Sequence, residues 1–207
     1  IQARDRDLVV ATHGRGVFIL YDIHPIEELK NSIGKPIHLF PIREGILWNM
    51  YWRIENLGDR TYAAKNPEYG TYINFSLEND AKSPVNVDII DINGLIVTSL
   101  EMKEAKKGLN RLVWDLGYDA AANLENKIEE GFSSSEIRPK VVPGEYIARI
   151  SYEGLKLEEK ITVIGDNRIK MSRDDYRKKL KALLTLRDLL SRTHKLIDKV
   201  SFSADQL

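Results

Sequence analysis

Four small groups of residues in this 207-residue chain have types and spacings that invite a chemical reading. His13-Gly-Arg-Gly16 sets an imidazole and a guanidinium between two glycines, where turn N–H groups can meet an anion. It lacks the G-x-x-x-x-G-K-[ST] spacing of a phosphate loop and the helix that follows one, so turn geometry is the reading carried forward. Asp115 and Asp119 flank Gly117, and glycoside cleavage needs two carboxyls held apart across a sugar. No apolar pocket is evident to raise one of their pKa values, and hydrogen bonding in a turn or loop fits them better. Asp91-Ile-Asn93-Gly94 begins like a calcium loop but lacks the later ligands and the distant Glu. His24, His38 and His194 are scattered, and no H-x-x-x-H or carboxylate spacing joins them to a metal set. The chain has no cysteine, which removes disulfides, thiol nucleophiles and Cys-based zinc sites. No catalytic residue, metal or cofactor is therefore expected within it.

Trp48, Tyr51, Trp52, Tyr62 and Tyr69 lie among Pro, Gly and Asn in an irregular stretch from Ile37 to about Gly70. Sugars stack on flat aromatic faces, and exposed Trp and Tyr are enriched at interfaces, so this set is a candidate carbohydrate- or partner-binding surface. The plainer reading is that the rings seal a joint between two domains. Asn74-Phe-Ser76 matches a glycosylation sequon, but it falls in an expected strand. The Glu pairs at 27–28, 129–130 and 158–159 read as solvated faces.

The elements that would position these groups are mostly strands. Asp7–Thr12 and Val17–Tyr21 are nearly all apolar runs joined by the His13–Gly16 turn. Such a hairpin is expected to be buried on both faces by something else. Pro25–Ser32 is expected as a short connector helix, with Pro in its first turn and Gly34 stopping it. A period-two run predicts a strand at Thr71–Leu77, runs flanking Asn93-Gly94 predict strands at Val85–Ile92 and Leu95–Leu100, and Leu109–Leu116, Glu145–Tyr152 and Lys156–Ile164 read as further strands. Asn93-Gly94 predicts a type I′ turn. Residues 117–140 form a polar excursion, with helix expected near Leu124–Glu130.

Ser172, with Asp175 three residues on, caps a helix expected to run to about Val200. Tyr176, Leu183, Leu186, Leu190, Thr193, Ile197 and Val200 make an apolar stripe at alternating spacings of three and four, interrupted early by Lys179. Leu183, Leu186, Leu190 and Ile197 are the candidate helix interface, to be covered by a missing helix, the sandwich or a second copy of the chain.

Lys plus Arg and Asp plus Glu both number 31, so no net field gathers nucleic acid. No apolar run approaches the roughly 20 residues of a spanning helix, and membrane insertion is not expected. The first seven residues are no signal peptide, and a start at Ile1 implies an upstream portion.

Three stretches together resemble a known group. Asp7–Leu20 is similar to the strand pair that closes the propeller in sortilin-like and BNR-repeat proteins, including xyloglucanase-type hydrolases. Asn66–Thr71 resembles the entry to the sandwich that follows that propeller. Gly108–Leu116 with Val142–Tyr146 resembles the Ig-like domain of the flagellar hook-capping protein. The resemblance implies a mainly β fold: a propeller-derived hairpin and connector (1–35), an aromatic wrapping segment (36–70), an antiparallel immunoglobulin- or fibronectin-III-like β-sandwich (71–166) and a long C-terminal helix (167–207).

It also implies a non-catalytic structural and interaction module of a secreted protein, extracellular or periplasmic, whose first partner is the upstream propeller of the same polypeptide. Two alternatives stay open: an accessory carbohydrate-binding module using the aromatic segment, and part of a glycoside hydrolase whose acids lie upstream. The Asp-box repeat Ser-x-Asp-x-Gly-x-Thr-Trp is absent, so no catalytic residue transfers.

Overall fold

The computed structural model describes residues 6–14, 16–49, 66–122 and 138–204. It is mainly β, with a long C-terminal helix. The first hairpin pairs β1 (Leu8–Thr12) with β2 (Gly16–Leu20), and Gly14 and Gly16 both take positive φ at its loop. The expected connector helix splits into α1 (His24–Glu27) and a 3-10 turn (Leu29–Ser32), because Glu28 leaves helical geometry between them. Two three-residue strands, β3 (Ile37–Leu39) and β4 (Gly45–Leu47), lie in the stretch expected to be irregular. The later runs become β5 (Thr71–Leu77), β6 (Val85–Asp91), β7 (Ile96–Met102), β8 (Gly108–Trp114), β9 (Gly144–Tyr152) and β10 (Leu155–Gly165). The final helix, α2, spans Arg173–Ala204.

Beside the β1–β2 pair there is a three-stranded sheet, β3-β5-β8, and a five-stranded sheet, β4-β10-β9-β6-β7. The chain forms two compact units. One draws on Ile1–Gly45, Trp52–Asp115 and Glu145–Thr162, the other on Ile46–Tyr51, Leu116–Gly144 and Val163–Leu207.

In the first unit, β5 pairs antiparallel with β3 on one side and β8 on the other. All its residues except Tyr72 are buried, including the polar Asn74 and Ser76 that period two would send to solvent. Asn74 is satisfied internally. Its amide donates to Asp22 (3.0 Å) and its carbonyl accepts from Arg111 Nε (2.8 Å), while Arg111 Nη2 reaches the carbonyl of Tyr21 (3.1 Å). The Arg111 guanidinium also lies over the Tyr72 ring at 4.5 Å. The sequon at Asn74 is therefore closed in the folded protein, because its acceptor nitrogen is buried and hydrogen-bonded.

Trp114, at the end of β8, is fully buried and meets Tyr146 of β9 edge-on, with ring centroids 5.5 Å apart. Behind it, Gly70 has φ +136°, and a Cβ there would fall 2.1 Å from the Trp114 carbonyl oxygen. Only glycine permits that approach.

The turns differ from expectation in an instructive way. At Asn93-Gly94 only Gly94 has positive φ. Gly94 N–H donates to the Asp91 carbonyl (3.0 Å), and the Asp91 carboxylate accepts from Asn93 N (2.8 Å) and Leu95 N (2.8 Å). This is a type I turn followed by a left-handed glycine, the three-residue hairpin form, and not type I′. The carboxylate of Asp91 is engaged by its own turn, which agrees with turn chemistry over calcium ligation. Both central residues of a turn take positive φ at Glu153-Gly154 instead (46° and 82°), between β9 and β10.

Two substitutions test these points. Glu153→Asn relieves a left-handed Glu and is expected to stabilise the protein by about 1 kcal/mol in urea unfolding. Asn74→Ala strips a buried carboxylate and a guanidinium of their shared partner, and a loss of about 2–3 kcal/mol is expected in the same assay. A neutral Asn74→Ala would show that the network contributes nothing to the fold.

Candidate functional site

The most developed polar constellation lies in the second compact unit, where β10 ends and α2 begins. Gly165 closes the strand, and a Cβ there would sit 2.8 Å from the Tyr176 hydroxyl near the start of α2. Asp166 then folds its carboxylate back onto the turn. It is 2% exposed and accepts from Arg168 N (3.0 Å), Arg168 Nε (2.8 Å), Arg168 Nη2 (2.6 Å) and Asn49 N (3.0 Å). The Arg168 guanidinium, aided by these backbone N–H groups, holds the carboxyl well below the usual carboxylate range.

Arg168 reaches further. Its Nη2 also donates to the Asn49 carbonyl (3.3 Å), and its guanidinium carbon stands 5.2 Å from the Trp48 ring centroid. Trp48 itself remains 42% exposed. A flat aromatic face is thus presented beside a cation that a buried carboxylate fixes in place.

Asp166 also lines an open recess of about 350 Å³ together with Pro143, Ile169, Met171, Arg173 and Tyr176. That volume is at the small end of ligand pockets, roughly 300–1,000 Å³. Asp166 is already saturated, which leaves the Arg173 guanidinium and the Tyr176 hydroxyl as the polar groups at its edge. These are donors suited to holding a ligand; no nucleophile is paired with a base here. Just beyond, Ser172 and Asp175 cap α2 reciprocally. Asp175 N donates to Ser172 Oγ (3.2 Å), and Ser172 Oγ donates to the Asp175 carboxylate (2.6 Å), which lowers the pKa of Asp175.

The aromatic residues singled out by sequence fare unequally. Trp48 belongs to this constellation, whereas the half-buried Tyr69 belongs to the other unit. Tyr51, Trp52 and Tyr62 lie outside the described residues, as does the helix expected at 124–130. On α2, Leu183 is half-buried and Leu186, Leu190 and Ile197 are exposed.

The face of α2 that docks in its unit is a different and more polar one. Ser191 Oγ accepts from Ala122 N (3.1 Å), His194 Nδ1–H donates to the Ala122 carbonyl, and Arg187 donates to the Asp119 carbonyl (3.4 Å). The carboxylate of Asp119 is exposed and pairs with Arg138 (3.4 Å), and a Gly117–Lys140 bridge closes the neck of the 117–140 excursion.

The remaining histidines have structural surroundings. His13 is exposed in the hairpin loop, and His24 contacts Glu28 at 2.7 Å. His38 meets Phe40 edge-on at 4.8 Å, and burial lowers its pKa. Among the described residues no three His, Asp or Glu side chains gather as a metal site.

Asp166, Arg168 and Asn49 were not anticipated. Their one sequence signal is Gly165-Asp-Asn-Arg168 between a strand and a helix cap, since a short carboxylate can bond the N–H two residues on. The partnership with Asn49, 117 positions away in sequence, leaves no local trace.

No family model matches the chain, and no curated protein matches it. No helix among the described residues is long and apolar enough to cross a membrane.

Because the folded-state pKa of Asp166 is depressed, its contribution to stability is complete above the unfolded carboxylate value of about 4 and is lost as pH falls below it. Urea midpoints of the wild type and Asp166→Asn should differ at about pH 6 and converge between about pH 4 and pH 2. A constant difference across that range would mean that the ionised carboxylate is not what holds Arg168.

Proposed function

We propose that this chain is a non-catalytic structural and interaction module of a larger secreted protein of the sortilin-like, BNR-repeat glycosyl-hydrolase type, working outside the cell or in the periplasm. The observation that carries this reading is the β1–β2 hairpin. Val9, Val10, Val17, Phe18, Ile19 and Leu20 remain 44–63% exposed on a sheet of only two strands. A two-stranded ribbon is marginal in water, and side chains of this kind on both its faces call for further strands and a covering layer. An upstream propeller blade of the same polypeptide supplies both.

Within this reading, the antiparallel pairs β3-β5-β8 and β7-β6-β9 around Trp114 form an immunoglobulin- or fibronectin-III-like sandwich that braces the propeller. Catalytic acids, if the parent protein hydrolyses glycans, belong to its upstream blades.

Amide exchange tests the hairpin directly. Residues 8–12 and 16–20 should exchange close to the rate of free peptide in the isolated chain. They should be slowed by at least about a hundredfold when the chain is continuous with the preceding blades of its parent. Equal exchange in both would remove the propeller reading.

A second reading is favoured by one observation, the half-exposed Trp48 held beside Arg168. An accessory carbohydrate-binding role predicts that iodide quenching of Trp48, taken as wild type minus Trp48→Phe, is suppressed by one member of a panel of plant and bacterial polysaccharides. Indifference to the whole panel would reject it.

A further inference from the structure

The exposed side of α2 is organised enough to specify a partner. Leu186, Leu189, Leu190, Leu196, Ile197 and Val200 are 39–69% exposed. At about 100° per residue they occupy one arc of roughly 120°, running for about four turns. This arc lies beside the docked face of Arg187, Ser191 and His194, not opposite it.

Its free border is basic. Lys181, Arg192, Lys195 and Lys199 fall on the neighbouring arc, all exposed and none with an ion-pair partner among the described residues. The acids on that arc, Asp174 and Asp188, are paired with Arg177 at 3.2 Å and Arg187 at 2.7 Å. An uncovered apolar seam edged by a row of unpaired cations selects the charge of whatever covers it.

A second copy of the chain fits badly. Antiparallel pairing about a two-fold axis sets the same border against itself, cation row against cation row. Parallel pairing turns that row towards the border of the partner helix that residues 119–122 already cover. An anionic lipid surface fits less well too, since cations flank the seam on one side only and Phe202 lies on a different arc.

We propose that this face of α2 binds an amphipathic helix of a partner protein, apolar along its seam and acidic along the border that meets Lys181, Arg192, Lys195 and Lys199. The assignment deepens the interaction-module reading but rests on α2 alone, so hairpin exchange and helix binding can fail independently.

Fluorescence anisotropy of the full chain with two synthetic amphipathic peptides of one leucine seam, flanked by Glu in one and by Lys in the other, tests it. The Glu-flanked peptide should bind at least about tenfold more tightly, with the preference fading as salt rises. Leu186→Glu and Ile197→Glu, at exposed positions, should each weaken it about tenfold without lowering Tm. Lys181→Glu with Lys199→Glu should reverse the peptide preference.

Equal binding of the two peptides, or binding of neither, overturns the proposal. So does a dimer in sedimentation that Leu186→Glu abolishes, which would assign the face to a second copy. Co-sedimentation with phosphatidylserine-containing vesicles, lost in the same variant, would assign it to a lipid surface.

Discussion

The fold of the first unit depends on β5 being buried on both faces while carrying polar side chains. A buried amide must find hydrogen-bond partners or lose about 1–3 kcal/mol, and Asn74 finds Asp22 and Arg111. That requirement reaches outward. Asp22 follows β2 directly, so the same bonds that satisfy the sheet interior tether the exit of the hairpin to it. Arg111 on β8 completes the tether through the Tyr21 carbonyl and the Tyr72 ring. The network is polar and directional, and it sets where the hairpin leaves the sheet more sharply than apolar packing would.

Trp114 supplies the apolar counterpart. It brings the end of β8 against β9, and Gly70 lets the backbone entering β5 pass over the Trp114 carbonyl. The packing is tight where β5, β8 and β9 meet. The β1–β2 hairpin and the outer arc of α2 each carry six exposed apolar side chains. Contiguous exposed apolar surface of this kind marks interaction sites in folded proteins.

The second unit shows how one carboxylate can organise a surface without being reactive. Asp166 is surrounded by four N–H donors, so its charge serves to orient Arg168, and Arg168 in turn steadies the Asn49 carbonyl and the Trp48 ring. A carboxyl held ionised by so many donors is a poor proton donor at neutral pH. The arrangement favours positioning over acid–base work.

Much of the local structure was legible in the residues. Period two located β5, β-rich runs between turn signals located β6 to β10 within a residue or two, and Ser172 with Asp175 announced the start of α2, because these depend on neighbours a few positions apart. β3 and β4 escaped notice, since three residues are too short to show a period. The turn type at Asn93-Gly94 also escaped, because loop length and the strands it joins decide it along with the dipeptide. The burial of Asn74, the bond from Asn49 to Asp166 and the docking of α2 by Arg187, Ser191 and His194 were decided only in three dimensions. The physical reason is common to all three. A sequence pattern reports which faces an element possesses, whereas the partner that covers each face comes from distant parts of the chain and is chosen by the closing of hydrogen bonds between them.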